Sequence, residues 1–373
     1  MKPISVIELE FDSERNALGK AKKLSQGLSV AKQIGHTLWV ANDESTTLER
    51  LTLVEGRRKG SYRYGRHHQQ FRLADYLRLP ASDTKASGKI AEVDVEGMDF
   101  HDGYLWVVGS HSLKRGQPKD GDTAADAGKR LAKISADGNR YLLARIPVVE
   151  IEGSFVLARE ADDGGVTRSA AQLNGDALGN ELTRALADDD HLGPFLAIPG
   201  KDNGFDIEGL AVVDGRVFLG LRGPVVRGWA VVLELQLKEA APSSLTLKAI
   251  GPKRQPYLKH FLQLGGLGIR DICVDGADLL VLAGPTMDLD GPVSVFRWPG
   301  GAAPDSEGVV GAGQLQHVLD VPFGHGTDHA EGMTWLSPPG GGDPALLVVY
   351  DSASDKRQVG PHSVCADIFE IPL

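Results

Sequence analysis

Only two cysteines occur, and neither sits in a spacing that could hold zinc. Cys273 and Cys365 lie in apolar strand-like runs, where a buried, inert thiol is the expectation and no disulfide is needed. No stretch of eighteen apolar residues occurs, which excludes a membrane-spanning helix. The first eleven residues alternate apolar and polar instead of running apolar, so they read as a strand and not as a secretory signal. With so few cysteines, the cytoplasm is the expected location. Excess positive charge is missing as well: the formal net charge is −10, which argues against nucleic acid as a partner because that binding draws on phosphate neutralisation by Lys and Arg. The basic stretch from Arg57 to His68, with its interleaved tyrosines, therefore reads as a solvated loop between outer strands rather than a single-strand platform. Nucleophile-elbow, Walker, HExxH and dinucleotide fingerprints are all absent.

Glycine and proline are plentiful, at 46 and 20 of 373 residues, and that turn density favours β structure. One phrase recurs along the chain. Asp94-Val95-Glu96-Gly97-Met98 leads through Asp102-Gly103 into Tyr104–Gly109. Asp206-Ile207-Glu208-Gly209-Leu210 leads through Asp214-Gly215 into Val217–Gly220, and Ala330-Glu331-Gly332-Met333 precedes Ala345–Tyr350. Weaker copies centre on Leu28 and on Arg270-Asp271-Ile272. A short strand, an Asp-Gly turn and a second apolar strand make a β-hairpin, since Asp-Gly accepts the positive φ that a tight hairpin requires. Further strand pairs are expected at Arg130–Ile134 with Tyr141–Ile146, and at Trp229–Leu235 with Leu245–Ile250.

Four strands per repeat of about sixty residues describe a β-propeller blade, so the expected fold is all-β, one propeller domain over residues 1–373. Residues 1–11 are expected to close the last blade. The interval from Glu96 to Glu208 is nearly double length, and 151–200 reads as a divergent blade or a helical insertion, with a helix around 179–190 after the Asn180 cap. This spacing favours six blades over five.

The Glu-Gly openings, with Lys201–Ala211 and Leu221-Arg222-Gly223-Pro224, resemble a bacterial family called domain of unknown function 3616 (DUF3616), over nearly the whole chain. More distantly, the chain is similar to propellers of the calcium-dependent phytase, esterase-like phytase and SdiA-regulated kinds. Those relatives imply a propeller fold; one such fold hosts many chemistries.

Equivalent repeat positions lie at equivalent places around an axis, so Glu96, Glu208 and Glu331 should converge, with Arg270 as an internal counter-ion. They are the candidate catalytic and metal-binding residues, with His111 between Ser110 and Ser112 as a candidate general base. Oxygen donors of this kind suit calcium or magnesium. Alternatively, each Glu braces neighbouring blades by accepting backbone N–H bonds. Asp206, Arg222, Asp43, Glu44, Asp271 and Asp351 are the candidate ligand-binding residues, because strand ends on one propeller face share a surface. The His325/His329 pair lies in a Gly-rich loop, where a four-residue spacing imposes no common face. The leading reading is a binding module or interaction scaffold for a small molecule or protein. Its alternative is a metal-assisted hydrolase of phosphate or ester bonds.

Overall fold

The computed structural model describes residues 2–19, 22–55, 62–81, 91–338 and 342–371. Its strands form five four-stranded sheets whose inner strands stand around one axis. Blade one is Val30–Ile34, Thr37–Ala41, Thr47–Glu55 and Tyr62–Arg72. Blade two is Val95–His101, Tyr104–Gly109, Leu143–Ile151 and Ala171–Leu173. Blade three is Asp206–Val213, Arg216–Gly223, Ala230–Ala241 and Leu258–Leu262. Blade four is Gly268–Asp275, Asp278–Gly284, Val293–Trp298 and Gln316–Val321. Blade five is His329–Leu336, Ala345–Asp351, Ser363–Phe369 and the N-terminal strand Ser5–Glu10. Each inner strand packs against the next, and the fifth packs against the first, so the ring closes.

Five blades, among the described residues, correct the leaning toward six. The long interval holds no inner strand. It holds two excursions: a flap from Leu113 to Ala136 carrying helix α1 (Ala124–Leu131), and short ribbons followed by helix α2 (Glu181–Leu186). Asn180 caps α2, its side chain accepting from Thr183 N–H. The expected strand at Arg130–Ile134 is instead the end of α1, the turn at Ala132 and Lys133 and the first residue of a short strand, Ile134–Ala136, because Thr123 caps a helix there through Asp126 N–H.

Second strands such as Tyr104–Gly109 are continuous apolar runs, since neighbouring blades cover both of their faces. Between blades the apolar layers are continuous: Trp39 and Leu48 belong to one core with Val107 and Ile146, and Phe218 to another with Leu279 and Val281. The Asp102-Gly103 and Asp214-Gly215 turns place both residues at positive φ, the geometry that folds the first two strands of a blade back on each other. Both cysteines are free. Among the described residues no helix is long and apolar enough to cross a membrane.

Inner strands approach so closely that two of the repeat glycines have no room for a side chain. A Cβ on Gly97 meets Leu210 Cβ at 2.6 Å, and one on Gly332 meets Val30 Cα at 2.8 Å and Ser29 O at 3.0 Å. Gly332→Ala is therefore expected to cost about 1–3 kcal/mol in urea unfolding, since backbone must move to admit the methyl group. Blades are tied by aspartates in a way that the repeat phrase does not reveal. Asp99 accepts from Val212 N–H at 2.7 Å, and Asp271 accepts from Met333 N–H at 2.7 Å. Lys32 adds a 2.5 Å ion pair to Asp99.

Candidate functional site at the channel mouth

Four inner strands share one irregularity. Pairing passes from Val95 to Gly97, from Ile207 to Gly209, from Ile269 to Asp271 and from Ala330 to Gly332, leaving Glu96, Glu208, Arg270 and Glu331 each as the unpaired residue of a β-bulge. A bulge re-aims its side chain out of the sheet alternation. Repeated around a ring, the device turns four charged side chains toward the axis. Arg222 is left unpaired in the same way on the second strand of blade three, between Leu221 and Gly223. The inner strand of blade one has no bulge: Leu28 is buried in the apolar core, and Asp43, just past the second strand, faces the cavity instead.

The bulged residues form a chain of ion pairs. Arg222 contacts Asp206, and its Nη1 reaches Glu208 Oε1 at 2.7 Å. Arg270 Nη1 lies 2.9 Å from Glu208 Oε2 and 3.1 Å from Glu331 Oε1. A second pair repeats the pattern in blade two, where Arg140 Nη2 meets Asp94 Oδ1 at 2.7 Å and Nη1 donates to Ser112 Oγ at 2.7 Å. Asp94 and Asp206 stand at the same place in the repeat, two residues before their glutamates, so each pairs its own arginine.

Above these pairs opens a cavity of about 760 Å3. Its wall includes Asp43, Glu44, Glu96, Asp206, Glu208, Arg222, Glu331 and Asp351, so nearly all of the candidate ligand-binding residues meet in one space. Asp271 does not. It is buried as the brace to Met333 described above. Glu44 is held at the rim by Lys22. Among the described residues, Asp43 and Glu96 have no hydrogen bond or ion pair at their carboxylates.

Electrostatics follow from that arrangement. Burial, then Asp94 and Asp351, push the Asp43 carboxyl up to about 7. Burial, then Asp94 and the neighbouring glutamates, hold Glu96 well above the usual carboxylate range. Glu331 is also raised, by burial and then Asp351, with Arg270 opposing. Asp206 rises to about 6 through burial, which the adjacent Arg222 only partly offsets.

A metal centre made of Glu96, Glu208 and Glu331 does not fit. Both Glu208 oxygens are taken by arginines, and among the described residues no three His, Cys, Asp or Glu side chains group to hold a metal. His111 is buried and engaged at both nitrogens: Asn180 Nδ2 donates to Nε2 at 2.7 Å, so Nδ1–H donates to Gly109 O at 2.7 Å. It joins blade two to the cap of α2 and has no free nitrogen for a base. Burial lowers its pKa to about 4. A depressed histidine contributes stability that is present above its unfolded value near 6.5 and lost as the pH falls toward 4. The ring is expected to stay neutral at about pH 5.5, which ring 15N shifts would report. His325 and His329 meet at Asp290, at 3.4 and 3.2 Å, away from the cavity wall.

Sequence reasoning missed Asp94, Arg140 and the flap residues Lys114, Lys119 and Lys133, which also line the cavity. A signal for Asp94 was present, because the Asp-x-Glu-Gly phrase occurs twice.

Residues 27–367 match a family described as protein of unknown function, DUF3616. No curated protein matches the chain. Among solved structures, the chain is similar to a putative oxidoreductase (glucose dehydrogenase) from Thermus thermophilus, at 14% identity and TM-score 0.35, covering 93% of this chain and 98% of that one. It is also similar to the PQQ-bound aldose sugar dehydrogenase of Streptomyces coelicolor, at 11% identity and TM-score 0.33, covering 99% and 100%. Drosophila semaphorin 1a is similar at 9% identity and TM-score 0.33, covering 87% and 74%. Likenesses this distant carry no argument about activity.

Proposed function

This chain belongs to the DUF3616 family, whose description names no activity, and from that premise we propose a binding protein whose channel mouth takes the amine end of a small polar ligand. The observation that supports this reading is an imbalance of charge inside one cavity. Arg222, Arg270 and Arg140 are committed to Asp206, Glu208, Glu331 and Asp94, while Asp43 and Glu96 have no cation of their own. Crowded carboxylates with raised pKa values gain most from a cation that enters, since it relieves both burial and mutual repulsion. An ammonium suits them better than a metal because it donates three hydrogen bonds at the looser spacing of about 2.7–3.2 Å. The volume is that of a small-molecule site.

Metal-assisted hydrolysis of phosphate or ester bonds fits less well. Glu208 has no free oxygen for a metal, and Arg222 has its fork occupied by Asp206 and Glu208, leaving little to grip a phosphate. The deciding experiment is calorimetric titration with hexylamine, using hexanoate as the control of opposite charge. Hexylamine should bind, hexanoate should not, and Glu96→Gln should weaken hexylamine about tenfold or more, the loss of one charge-assisted contact. Equal binding of both probes, or no effect of Glu96→Gln, would remove the assignment.

A further inference from the structure

The flap Leu113–Ala136 leaves blade two after its second strand and lies over the cavity. Leu113–Arg115 pairs with Ile134–Ala136 at its base, and α1 forms its tip with no buried residue. Apart from a backbone bridge between Leu113 and Pro199 at its base, its attachments to the propeller are ionic. Arg115 Nε meets Asp202 at 2.5 Å, and Lys114 contacts Glu92 and lies 3.4 Å from Asp137. Partly exposed pairs of this kind contribute little each, and a segment without apolar packing belongs to the low-stability end of a fold. What the flap brings to the cavity is opposite in sign to the floor. Lys119 and Lys133 line the cavity from the flap, Lys201 lines it from the adjoining turn, and among the described residues none of the three has an ion-pair partner. Leu131, the last residue of α1, also lines the cavity, with 46% of its surface exposed.

We infer that the flap is a lid charged oppositely to the floor beneath it, and that the cavity takes a dipolar ligand, an amine at one end and an acid at the other. This rests on the amine site proposed above and adds the second end of the molecule. The amine lies among Asp43, Glu96 and Asp351, the acid against Lys119, Lys133 and Lys201, and an apolar stem crosses Leu131. A plain amine leaves three lysines unsatisfied, and a plain acid meets the carboxylate floor; only a molecule with both charges complements both walls. Binding the acid end also adds contacts between ligand and flap, so the lid is held closed by the ligand.

Calorimetric titration of the full chain with 6-aminohexanoate and with hexylamine tests this directly. The amino acid should bind about tenfold tighter or more, the worth of roughly one added ion contact in a partly enclosed site. In the Lys119→Ala, Lys133→Ala double variant, whose replaced side chains are exposed and cost little stability, the ratio of the two affinities should fall toward one. If hexylamine binds and 6-aminohexanoate binds no tighter, the dipolar ligand is wrong while the amine site stands. If the amino acid keeps its advantage in the double variant, the lid is not what holds the acid. If neither probe binds, the amine site itself is wrong, and this inference falls with it.

Discussion

Replacing Arg222 with methionine is expected to lower the unfolding free energy by about 3–5 kcal/mol at pH 8, the usual penalty for stranding a buried charge. Arg222 is 8% exposed and serves two carboxylates, Asp206 and Glu208, both buried. Methionine fills much of the space but leaves those acids facing each other, with Arg270 on one Glu208 oxygen alone. The deficit should shrink on acidification, for a reason of linkage. Asp206 has a folded pKa raised to about 6, above its ordinary 3.8. A raised acid is most favourable to folding below its unfolded value and costs stability as the pH climbs through its folded value. Removing Arg222, which lowers that pKa, moves the window upward and enlarges the cost at pH 8. Urea unfolding at pH 8 and pH 5 reads both quantities. A loss below about 1 kcal/mol at pH 8 would mean that the ion-pair chain is solvated like a surface pair.

Asp43→Asn should act in the opposite direction and stabilise the protein by on the order of 2–4 kcal/mol above pH 7. Asp43 has no cationic partner and a folded pKa of about 7. Ionising it in the folded state therefore works against folding, and the amide removes that cost. The gain should fade between pH 7 and pH 4, where the native carboxyl takes up its proton, and vanish below the unfolded value. The same variant should bind hexylamine more weakly, because the repulsion relieved by mutation is the repulsion that the amine relieves by binding. Thermal unfolding across that pH range, with amine titration at one pH, separates these effects. No gain at pH 8 would show that Asp43 is compensated in solution.

Much of this arrangement was legible in the sequence, and its limits are physical. The Glu-Gly phrases located Glu96, Glu208 and Glu331, and alignment alone offered Arg270 as an internal counter-ion, which it is for Glu208 and Glu331 but not for Glu96. What alignment could not supply is the bulge, because an extra residue in one strand is visible only against its partner. For the same reason Arg222 could be placed on the site's surface but not recognised as bulged. The glutamates were weighed as backbone acceptors, yet that task falls to Asp99 and Asp271, whose neighbours come from the next blade and leave no local mark. Blade number went astray because a flap and an insertion lengthen blade two, and length alone cannot separate an extra blade from an excursion. The flap hid for a related reason: Arg130–Ile134 has a strand-like composition, but Thr123 begins a helix before it.

The most direct test of the charged channel mouth is the number of protons released when hexylamine binds, obtained by calorimetry in buffers of different ionisation enthalpy. A cation placed among Asp43, Glu96 and Asp351 lowers the raised pKa values of Asp43 and Glu96, so groups that held protons must give them up. The account predicts release on the order of one proton per ligand near pH 6.5, with the share due to Asp43, whose pKa is about 7, gone by pH 8.5 because that carboxyl is then ionised without help. Binding with no proton release at pH 6.5, or with proton uptake, would contradict it.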